Sequence, residues 1–243
     1  MRRLKLILLV LLIFAVKANA QFLIGYTGGH TGLHELNREI YIYNEINGSN
    51  LKERMHPIHW FQGPTIGVKM GDEVYFEFLY TRKKARTESS FDDTLGVPYH
   101  RQIKVYCNTF NFGIGKKVGD WSFGGSLDFG RFKAFGRRGP EASLKDSTWT
   151  RLFIVDNSRI IGISVRLYFA TTIWVERTFG IATIRLYTQP FAFRQEMDGL
   201  DNWFFPNRYA SDPGGGAHMN FAKPNEEHFL NTGISIFLNI GGK

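Results

Sequence analysis

Apolar residues alternate with polar or small residues along most of the chain after residue 20. A period of two places successive side chains on opposite faces of a β-strand, so the alternation predicts an all-β fold. Four segments alternate cleanly, namely residues 73–81, 121–130, 159–169 and 230–240. Four others alternate less regularly, namely residues 22–27, 60–70, 101–115 and 172–187. The sequence therefore predicts eight strands.

Two of the less regular segments carry a feature that a strand must accommodate. In residues 101–115 the apolar positions change face partway, which predicts a β-bulge near residues 107–109. In residues 172–187, Glu176 and Arg177 are adjacent, so one of the two charges either points to the wrong face or lies in a turn.

The first twenty residues have the order of a secretory signal peptide. Basic residues precede an apolar run over residues 6–16, and Ala18-Asn19-Ala20 supplies a small-residue cleavage site. We therefore expect a signal peptide over residues 1–20 and one mature domain over residues 21–243.

The net charge and the cysteine count exclude several classes of protein. The formal charge is +8, but four of the cations lie in the predicted leader, and an exported chain meets no cytoplasmic nucleic acid. We therefore expect no nucleic-acid partner. A single cysteine, Cys107, excludes an intramolecular disulfide and any multi-cysteine metal site. We expect no cofactor, and we interpret Cys107 as a small membrane-facing or bulge residue.

The lengths of the connections between the predicted strands indicate how the strands are arranged. No stretch after residue 20 has 18 consecutive apolar residues, so a membrane-embedded chain would have to be a closed β-barrel. Short connections at residues 70–73, 116–120 and 170–172 alternate with long ones at residues 28–59, 82–100, 135–158 and 188–228. This asymmetry fits eight strands with both termini on the short-turn, periplasmic side.

In these respects the chain resembles the small eight-stranded outer-membrane proteins of the OmpA/OmpX kind. The resemblance covers almost the whole mature chain, but it is architectural and has no fingerprint motif. It implies an antiparallel up-and-down transmembrane β-barrel in the cell outer membrane, in contact with outer-membrane lipids and lipopolysaccharide. The chain departs from the pattern by ending in Gly241-Gly242-Lys243 instead of an aromatic residue, and no peptidoglycan-binding domain follows the last strand.

The alternation alone also fits a secreted lipocalin-like barrel, whose apolar face points inward. The polar faces of this chain are rich in glycine, which weakens a solvated strand but fits the crowded lumen of an eight-stranded barrel. We therefore predict that the apolar faces contact lipid and that the charged residues between the glycines lie inside. The predicted lumen ion-pair network has two cations that neutralise two carboxylates: Lys69, Arg166, Asp128 and Glu77. Alternatively, some of these charges lie near the rims and contact water.

Aromatic residues at strand ends are typical of the membrane interfaces. We expect Trp121 and Trp174 at the short-turn end, and Trp60 and Tyr80 at the long-loop end. Because eight strands leave no aqueous channel, we do not expect an open porin. Function is expected in the long loops and at the rim.

The first long loop contains a predicted amphipathic helix. Leu33, Leu36, Ile40 and Tyr43 recur at helical spacing, after a capping Thr31 and before Asn47-Gly48. Such a helix caps the barrel mouth or lies in the membrane interface. The loop also holds four histidines, His30, His34, His56 and His59, which we do not expect to bind a metal, because the nearby glycines keep the helix from reaching His30.

Two further groups of residues are candidates for binding. Cations just beyond the third and fifth predicted strands suit lipopolysaccharide phosphates at the outer rim: Arg82, Lys83, Lys84, Arg86, Arg137 and Arg138. Aromatic residues in the fourth long loop predict a surface that docks an envelope protein: Trp203, Phe204, Phe205 and Tyr209.

An enzymatic role is the alternative to docking. Some eight-stranded outer-membrane barrels of similar size are lipid A palmitoyltransferases or deacylases, which use a serine and a histidine near the outer leaflet. This chain has His100, His218 and His228 near the long-loop ends and Ser89, Ser90 and Ser211 in the loops, but no Gly-x-Ser-x-Gly motif. We therefore expect a structural or docking role, with no catalytic residues.

Overall fold

Ten β-strands and one α-helix are present in the computed structural model, which describes residues 20–92, 95–151, 167–194 and 231–241. In chain order the strands are β1 (Ala20–His30), β2 (Leu51–Glu53), β3 (Trp60–Met70), β4 (Val74–Asp92), β5 (Pro98–Val118), β6 (Trp121–Pro140), β7 (Thr150–Arg151), β8 (Leu167–Phe179), β9 (Ala182–Arg194) and β10 (Asn231–Ile240). Helix α1 is His34–Asn47, and one 3₁₀ turn covers Glu141–Ser143. Residues 1–19 of the predicted signal peptide lie outside the described ranges.

Eight of these strands close into an antiparallel barrel in the order β1–β3–β4–β5–β6–β8–β9–β10. Strand β10 pairs with β1, from Phe22 opposite Ile240 to His30 opposite Thr232, and this pairing closes the ring. The short strands β2 and β7 pair with the outer parts of β4 and β6. The prediction of an eight-stranded up-and-down barrel is confirmed.

Three tight turns lie at one end of the barrel, here named the turn end, where β1 also begins and β10 ends. They are residues 71–73, 119–120 and 180–181. Gly119 and Gly180 have positive φ angles of 62° and 58°, which glycine adopts without a steric penalty. The opposite end is named the loop end.

The predicted turn at residues 170–172 is wrong, because these residues lie inside β8. Ala170, Thr171 and Thr172 are small and differ little in polarity, so the two faces of the strand lack contrast there and the continuation was not evident from the sequence. The chain turns instead at residues 180–181, after the adjacent charges. Glu176 then points into the barrel, and Arg177 lies on the outside above the rings of Trp121 and Phe179.

Apolar side chains point outward around the barrel and form a belt. Six of its members, each 47–56% exposed, are Phe76, Phe112, Leu127, Ile173, Leu186 and Ile236. The residues that alternate with them point into the lumen, and Glu77, Thr65 and Asp128 are at most 1% exposed. This arrangement is that of a barrel in lipid and is the opposite of a lipocalin-like carrier.

The predicted bulge in β5 is also wrong. The pairing of β5 with β4 and β6 runs without a register shift from one end to the other. Ile103 and Val105 point inward, and Phe110 and Phe112 point outward, because the lumen itself changes from polar to apolar along the strand. An apolar residue therefore lies inside near the loop end and outside near the turn end.

The apolar section of the lumen is covered by helix α1. The predicted stripe of Leu33, Leu36, Ile40 and Tyr43 is buried against inward-facing residues of the barrel wall, namely Phe61, Ile103, Val105, Cys107, Ala134 and Ala170. The helix therefore caps the barrel mouth. It begins at His34 with no side-chain cap, so the predicted cap at Thr31 is wrong.

Two asparagines attach α1 to the chain that follows it. The backbone N–H of Ile58 donates to Asn37 Oδ1 at 2.7 Å, and Asn37 Nδ2 donates to the Ile58 carbonyl at 3.0 Å. Asn44 makes the same two contacts with Met55, at 3.0 and 2.8 Å. These bonds satisfy backbone groups that the sheet leaves unpaired, and they hold the cap in place.

Of the predicted interfacial aromatics, Trp174 lies elsewhere. Its side chain is in the lumen and only 3% exposed, since even-numbered residues of β8 point inward. Trp121 and Trp60 point outward and are 45% and 49% exposed. Within the described ranges, no helix has the length and apolarity needed to cross a bilayer.

Substituting Ile236, in the middle of the belt on β10, tests whether the belt contacts lipid. We expect Ile236→Arg to lower the free energy of unfolding in vesicles by about 2–4 kcal/mol, the cost of a cation at the bilayer midplane. Ile181→Arg, at the turn end, is the control and should cost no more than about 1 kcal/mol. Urea titration of the refolded protein measures both, and equal losses would contradict a membrane-embedded belt.

Candidate functional site: the lumen and the basic outer face

Four charged side chains form a buried cluster near the turn end, here named the lumen ion-pair cluster: Lys69, Glu77, Glu176 and Arg185. Arg185 donates from Nη1 and Nη2 to the two oxygens of Glu77, at 2.8 and 2.6 Å. It also donates from Nε and Nη2 to Glu176 Oε2, at 2.9 and 2.6 Å. Lys69 Nζ and the Tyr75 hydroxyl both donate to Glu176 Oε1.

The cluster is electrically neutral and almost completely buried. The Glu77 and Glu176 side chains have no exposed surface, and that of Arg185 is 5% exposed. Arg185 also lies over the Trp174 ring, 4.5 Å from its centroid. Two cations thus balance two carboxylates, as burial of charge requires.

The structure brings together only part of the predicted network. Lys69 and Glu77 both lie in the cluster, but the partner of Lys69 is Glu176 and that of Glu77 is Arg185. Asp128 lies apart from them, and Arg166 lies outside the described residues. The sequence contained a signal for both missed residues, because Arg185 alternates with the apolar residues of β9 and Glu176 belongs to the adjacent charge pair.

Asp128 is held by neutral donors in the middle of the lumen. Ser126 Oγ donates to Oδ1 at 2.6 Å, while Gln189 Nε2, at 2.7 Å, and Thr172 Oγ1 donate to Oδ2. Asn231 Nδ2 in turn donates to Gln189 Oε1 at 2.8 Å. These bonds leave the carboxylate inside the barrel with hydrogen bonds to both of its oxygens.

The remaining middle section of the lumen is filled by small hydroxyl residues and packed side chains. Thr65 Oγ1 lies 2.7 Å from that of Thr27 and 3.0 Å from that of Thr81, and Thr27 Oγ1 donates to Ser235 Oγ at 2.9 Å. A polar cavity of about 40 Å³ remains between these residues and Asp128. That volume has room for ordered water but not for a solute path.

On the loop side of the belt, one cation lies beside the apolar core that helix α1 covers. Arg101 points inward beneath α1, with its guanidinium 5.2 Å from the centroid of the Tyr43 ring. Burial lowers the pKa of Arg101, and the neighbouring Arg138 guanidinium lowers it further. Tyr43 and Ser89 share a hydrogen bond of 3.2 Å, which ties the helix to β4.

The outer face of β4, β5 and β6 beyond the belt carries a second charged surface, here named the basic outer face: Arg82, Lys84, Arg86, Lys104, Arg131, Lys133 and Arg137. Strand register arranges these residues in rows. Tyr80, Phe110 and Phe129 form the last aromatic row of the belt, and the next row is Arg82, Asn108 and Arg131. The following rows are Lys84, Tyr106 and Lys133, then Arg86, Lys104 and Phe135.

The basic outer face includes four of the six predicted rim cations. Lys83 is not among them, because odd-numbered residues of β4 point inward, and its ammonium lies in the lumen 5.7 Å from the Tyr187 ring centroid. Arg138 lies on the opposite face of β6 from Arg137, across from the inward-facing Arg101.

Arg137 is already engaged by its neighbours. Its Nε donates to Gln102 Oε1 at 2.8 Å, its Nη1 donates to the Leu144 carbonyl at 2.9 Å, and its guanidinium lies 4.6 Å from the Trp149 ring centroid. Arg131, Lys133 and Lys104 were not among the rim cations predicted from the sequence. That they lie on the same outer face as Arg82 and Lys84 follows only from the strand register.

Two of the four histidines of the first loop lie side by side. The rings of His30 and His59 stack with centroids 5.8 Å apart. Among the described residues, no three His, Cys, Asp or Glu side chains are placed to hold a metal ion together.

One serine and one histidine of the enzymatic alternative are neighbours. Ser90 lies opposite His100 in the β4–β5 pair, and His100 Nε2 is 3.8 Å from Glu141 Oε2. The Glu141 side chain is 70% exposed. Water therefore reaches this carboxylate freely, unlike the buried acid that orients a catalytic histidine. The predicted docking residues Trp203, Phe204, Phe205 and Tyr209, with His218, His228 and Ser211, lie outside the described residues.

Removing Arg185 tests how strongly the lumen depends on its charge balance. We expect Arg185→Met to lower the free energy of unfolding by about 3–5 kcal/mol, because it leaves a buried carboxylate unpaired. The control is Lys52→Met, which removes an exposed ion pair with Asp92 and should cost less than about 1 kcal/mol. Urea-dependent loss of the heat-modifiable gel band measures both variants, and a similar loss in the two would contradict a neutralising role for Arg185.

Neither a protein-family model nor a curated protein sequence matches this chain. Several solved structures resemble it. Ail, the attachment invasion locus protein of Yersinia pestis, in complex with the heparin analogue sucrose octasulfate, is 9% identical with a TM-score of 0.39, covering 91% of this chain and 97% of its own.

The outer membrane protease OmpT from Escherichia coli is 7% identical with a TM-score of 0.33, covering 90% of this chain and 93% of its own. The deltaS2S3 mutant of the monoaromatic hydrocarbon channel TodX is 8% identical with a TM-score of 0.31, covering 72% of this chain and 47% of its own. At these identities the likeness concerns the fold alone.

Proposed function

We propose that this protein is an integral outer-membrane β-barrel with a structural or docking role, and that it is neither an open porin nor an enzyme. The observation that carries the proposal is the filled interior. The lumen ion-pair cluster occupies the turn end, and the apolar core under α1 occupies the loop end. Because the described part of the barrel has no room for a solute path, we place the function at the outer surfaces.

In this proposal both termini and the tight turns face the periplasm, and the loop end faces outward. Short periplasmic turns with longer outer connections are the usual asymmetry of such barrels. The position of the basic outer face supports the same orientation, since its cations all lie beyond the belt on the loop side. The aromatic residues at 203–209 remain our prediction for a surface that docks an envelope protein.

Lipopolysaccharide is the lipid partner in this proposal. Arg82 and Arg131 form the first row beyond the aromatic edge of the belt, about 7 Å along the strand from Tyr80 and Phe129. Lipid A phosphates lie at that height, and guanidinium groups bind phosphate with paired hydrogen bonds. The remaining cations extend the positive surface toward the core sugars.

Fractionation and conductance measurements test the barrel assignment. We expect the full chain to require detergent for extraction, to shift on gels when heated, and to give no porin-sized openings in a planar bilayer. The reason is that its apolar belt is exposed and its lumen is filled. Release into the soluble periplasm, or stepwise conductance of nanosiemens order, would contradict the proposal.

The lipid contact has its own test. We expect Arg82→Gln combined with Arg131→Gln to weaken binding of purified lipopolysaccharide by about tenfold or more, since each loses a charge-assisted hydrogen bond. The matched control is Lys116→Gln with Lys117→Gln, which removes two exposed cations at the turn end. Binding to the refolded protein in detergent measures both, and an equal loss in the control would show that only net charge matters.

A further inference from the structure

A groove of about 680 Å³ lies on the outside of the barrel where the segment before β3 passes β4 and β5. Six of the residues that line it are Trp60, Gln62, Lys84, Arg86, Lys104 and Tyr106. All six point away from the lumen on β3, β4 and β5. The volume is in the range of sites that hold a small molecule or a few sugar residues.

The groove is strongly cationic. Three of its lining residues are cations, and one of them, Arg86, binds Glu88 at 2.8 Å. Within the part of the chain that the structure describes, neither Lys84 nor Lys104 has an ion-pair partner. A bound group of negative charge would therefore meet two ammonium groups without a carboxylate partner, of which that of Lys104 lies 4.7 Å from the Trp149 ring centroid.

Two aromatic rings in the groove are held in place before any ligand arrives. Trp60 Nε1 donates to Gln62 Oε1 at 3.3 Å, and its indole lies so near Gly28 that a Cβ there would come within 2.8 Å of the ring. The Tyr106 ring lies between two cations, with Arg82 and Lys104 each 5.1 Å from its centroid. Such fixed rings reduce the ordering cost of binding.

We infer that this groove binds an anionic sugar, meaning a saccharide that carries phosphate or carboxylate groups. The C–H face of a pyranose packs on an aromatic ring, and the half-exposed Trp60 indole supplies such a surface, whereas the Tyr106 ring positions Lys104. The ammonium groups of Lys84 and Lys104 then bind the acid groups, and Gln62 offers an amide to the hydroxyls. Free inorganic phosphate uses the cations alone and leaves the Trp60 ring unused.

The height of the groove favours a sugar over a lipid headgroup. Lys84 is four residues beyond Tyr80 on β4, about 13 Å along the strand. The groove therefore lies beyond the row of Arg82 and Arg131 that we assign to lipid A phosphates. This inference rests on the outward orientation of the loop end in the proposed function.

Binding measurements on the refolded, lipopolysaccharide-free protein in detergent test the inference. The probes are tri-galacturonic acid, the phosphorylated core oligosaccharide released from lipid A, neutral maltotriose and inorganic phosphate. We expect at least one of the two anionic oligosaccharides to bind at least tenfold more tightly than maltotriose or phosphate. Preference for the core oligosaccharide assigns the ligand to the membrane glycolipid, and preference for tri-galacturonic acid assigns it to a soluble polysaccharide.

Variants distinguish binding in the groove from a general effect of positive charge. We expect Lys104→Gln and, independently, Trp60→Ala to weaken oligosaccharide binding by about tenfold. The matched control is Lys117→Gln, which neutralises an exposed cation at the turn end, away from the groove and the basic outer face, and should change affinity less than twofold. Near-ultraviolet circular dichroism confirms that each variant is folded, and Trp60→Leu replaces Trp60→Ala if that variant does not fold.

Three results would overturn the inference: phosphate alone binding as tightly as the oligosaccharides, the control losing as much affinity as Lys104→Gln, or the Trp60 variant binding normally. Failure of the proposed function is a different result. It would appear as soluble fractionation or porin-sized conductance, neither of which depends on the groove residues.

Discussion

The hydrogen bonds between β1 and β10 close the sheet, and the other features of the structure depend on that closure. A closed ring leaves no unpaired strand edge within the belt, which is the condition for a sheet in lipid. Closure also fixes which residues share the narrow interior. Every second side chain of eight strands must fit there, and glycine, serine and threonine leave the space that Trp174, Arg185 and Phe237 occupy.

The lumen ion-pair cluster follows from the same confinement. Its four members come from four different strands, β3, β4, β8 and β9, so the ion pairs link opposite walls of the barrel. A buried ion pair adds little stability by itself, because desolvation offsets much of the attraction. A slip of one residue in any of these strands would move a charge from the lumen into lipid, however, and so the cluster penalises wrong registers severely.

The sequence predicts the features that depend on local alternation and fails where two faces have similar polarity. Eight strands, their apolar outer faces and the buried stripe of α1 follow from periodicity. The turn at residues 180–181 and the lumen position of Trp174 do not, because only the register decides them. The partners of Lys69 and Glu77 were also missed, since an ion pair across the lumen joins residues more than a hundred positions apart.

The loop end of β4–β6 reverses the polarity of the belt. Near the turn end, the outer surface of these strands is apolar and the lumen is charged. From Cys107 of β5 toward the loop end, the lumen is mainly apolar and the outer surface is basic. One continuous strand register carries both arrangements, so the apparent change of face in β5 is a change of surroundings. The reversal places an apolar core under α1. The lumen at the loop end is therefore filled by packed side chains. It also leaves the cations of the same strands facing outward, on the side where anionic groups can approach. Sealing the barrel and forming a binding surface are therefore two consequences of one pattern.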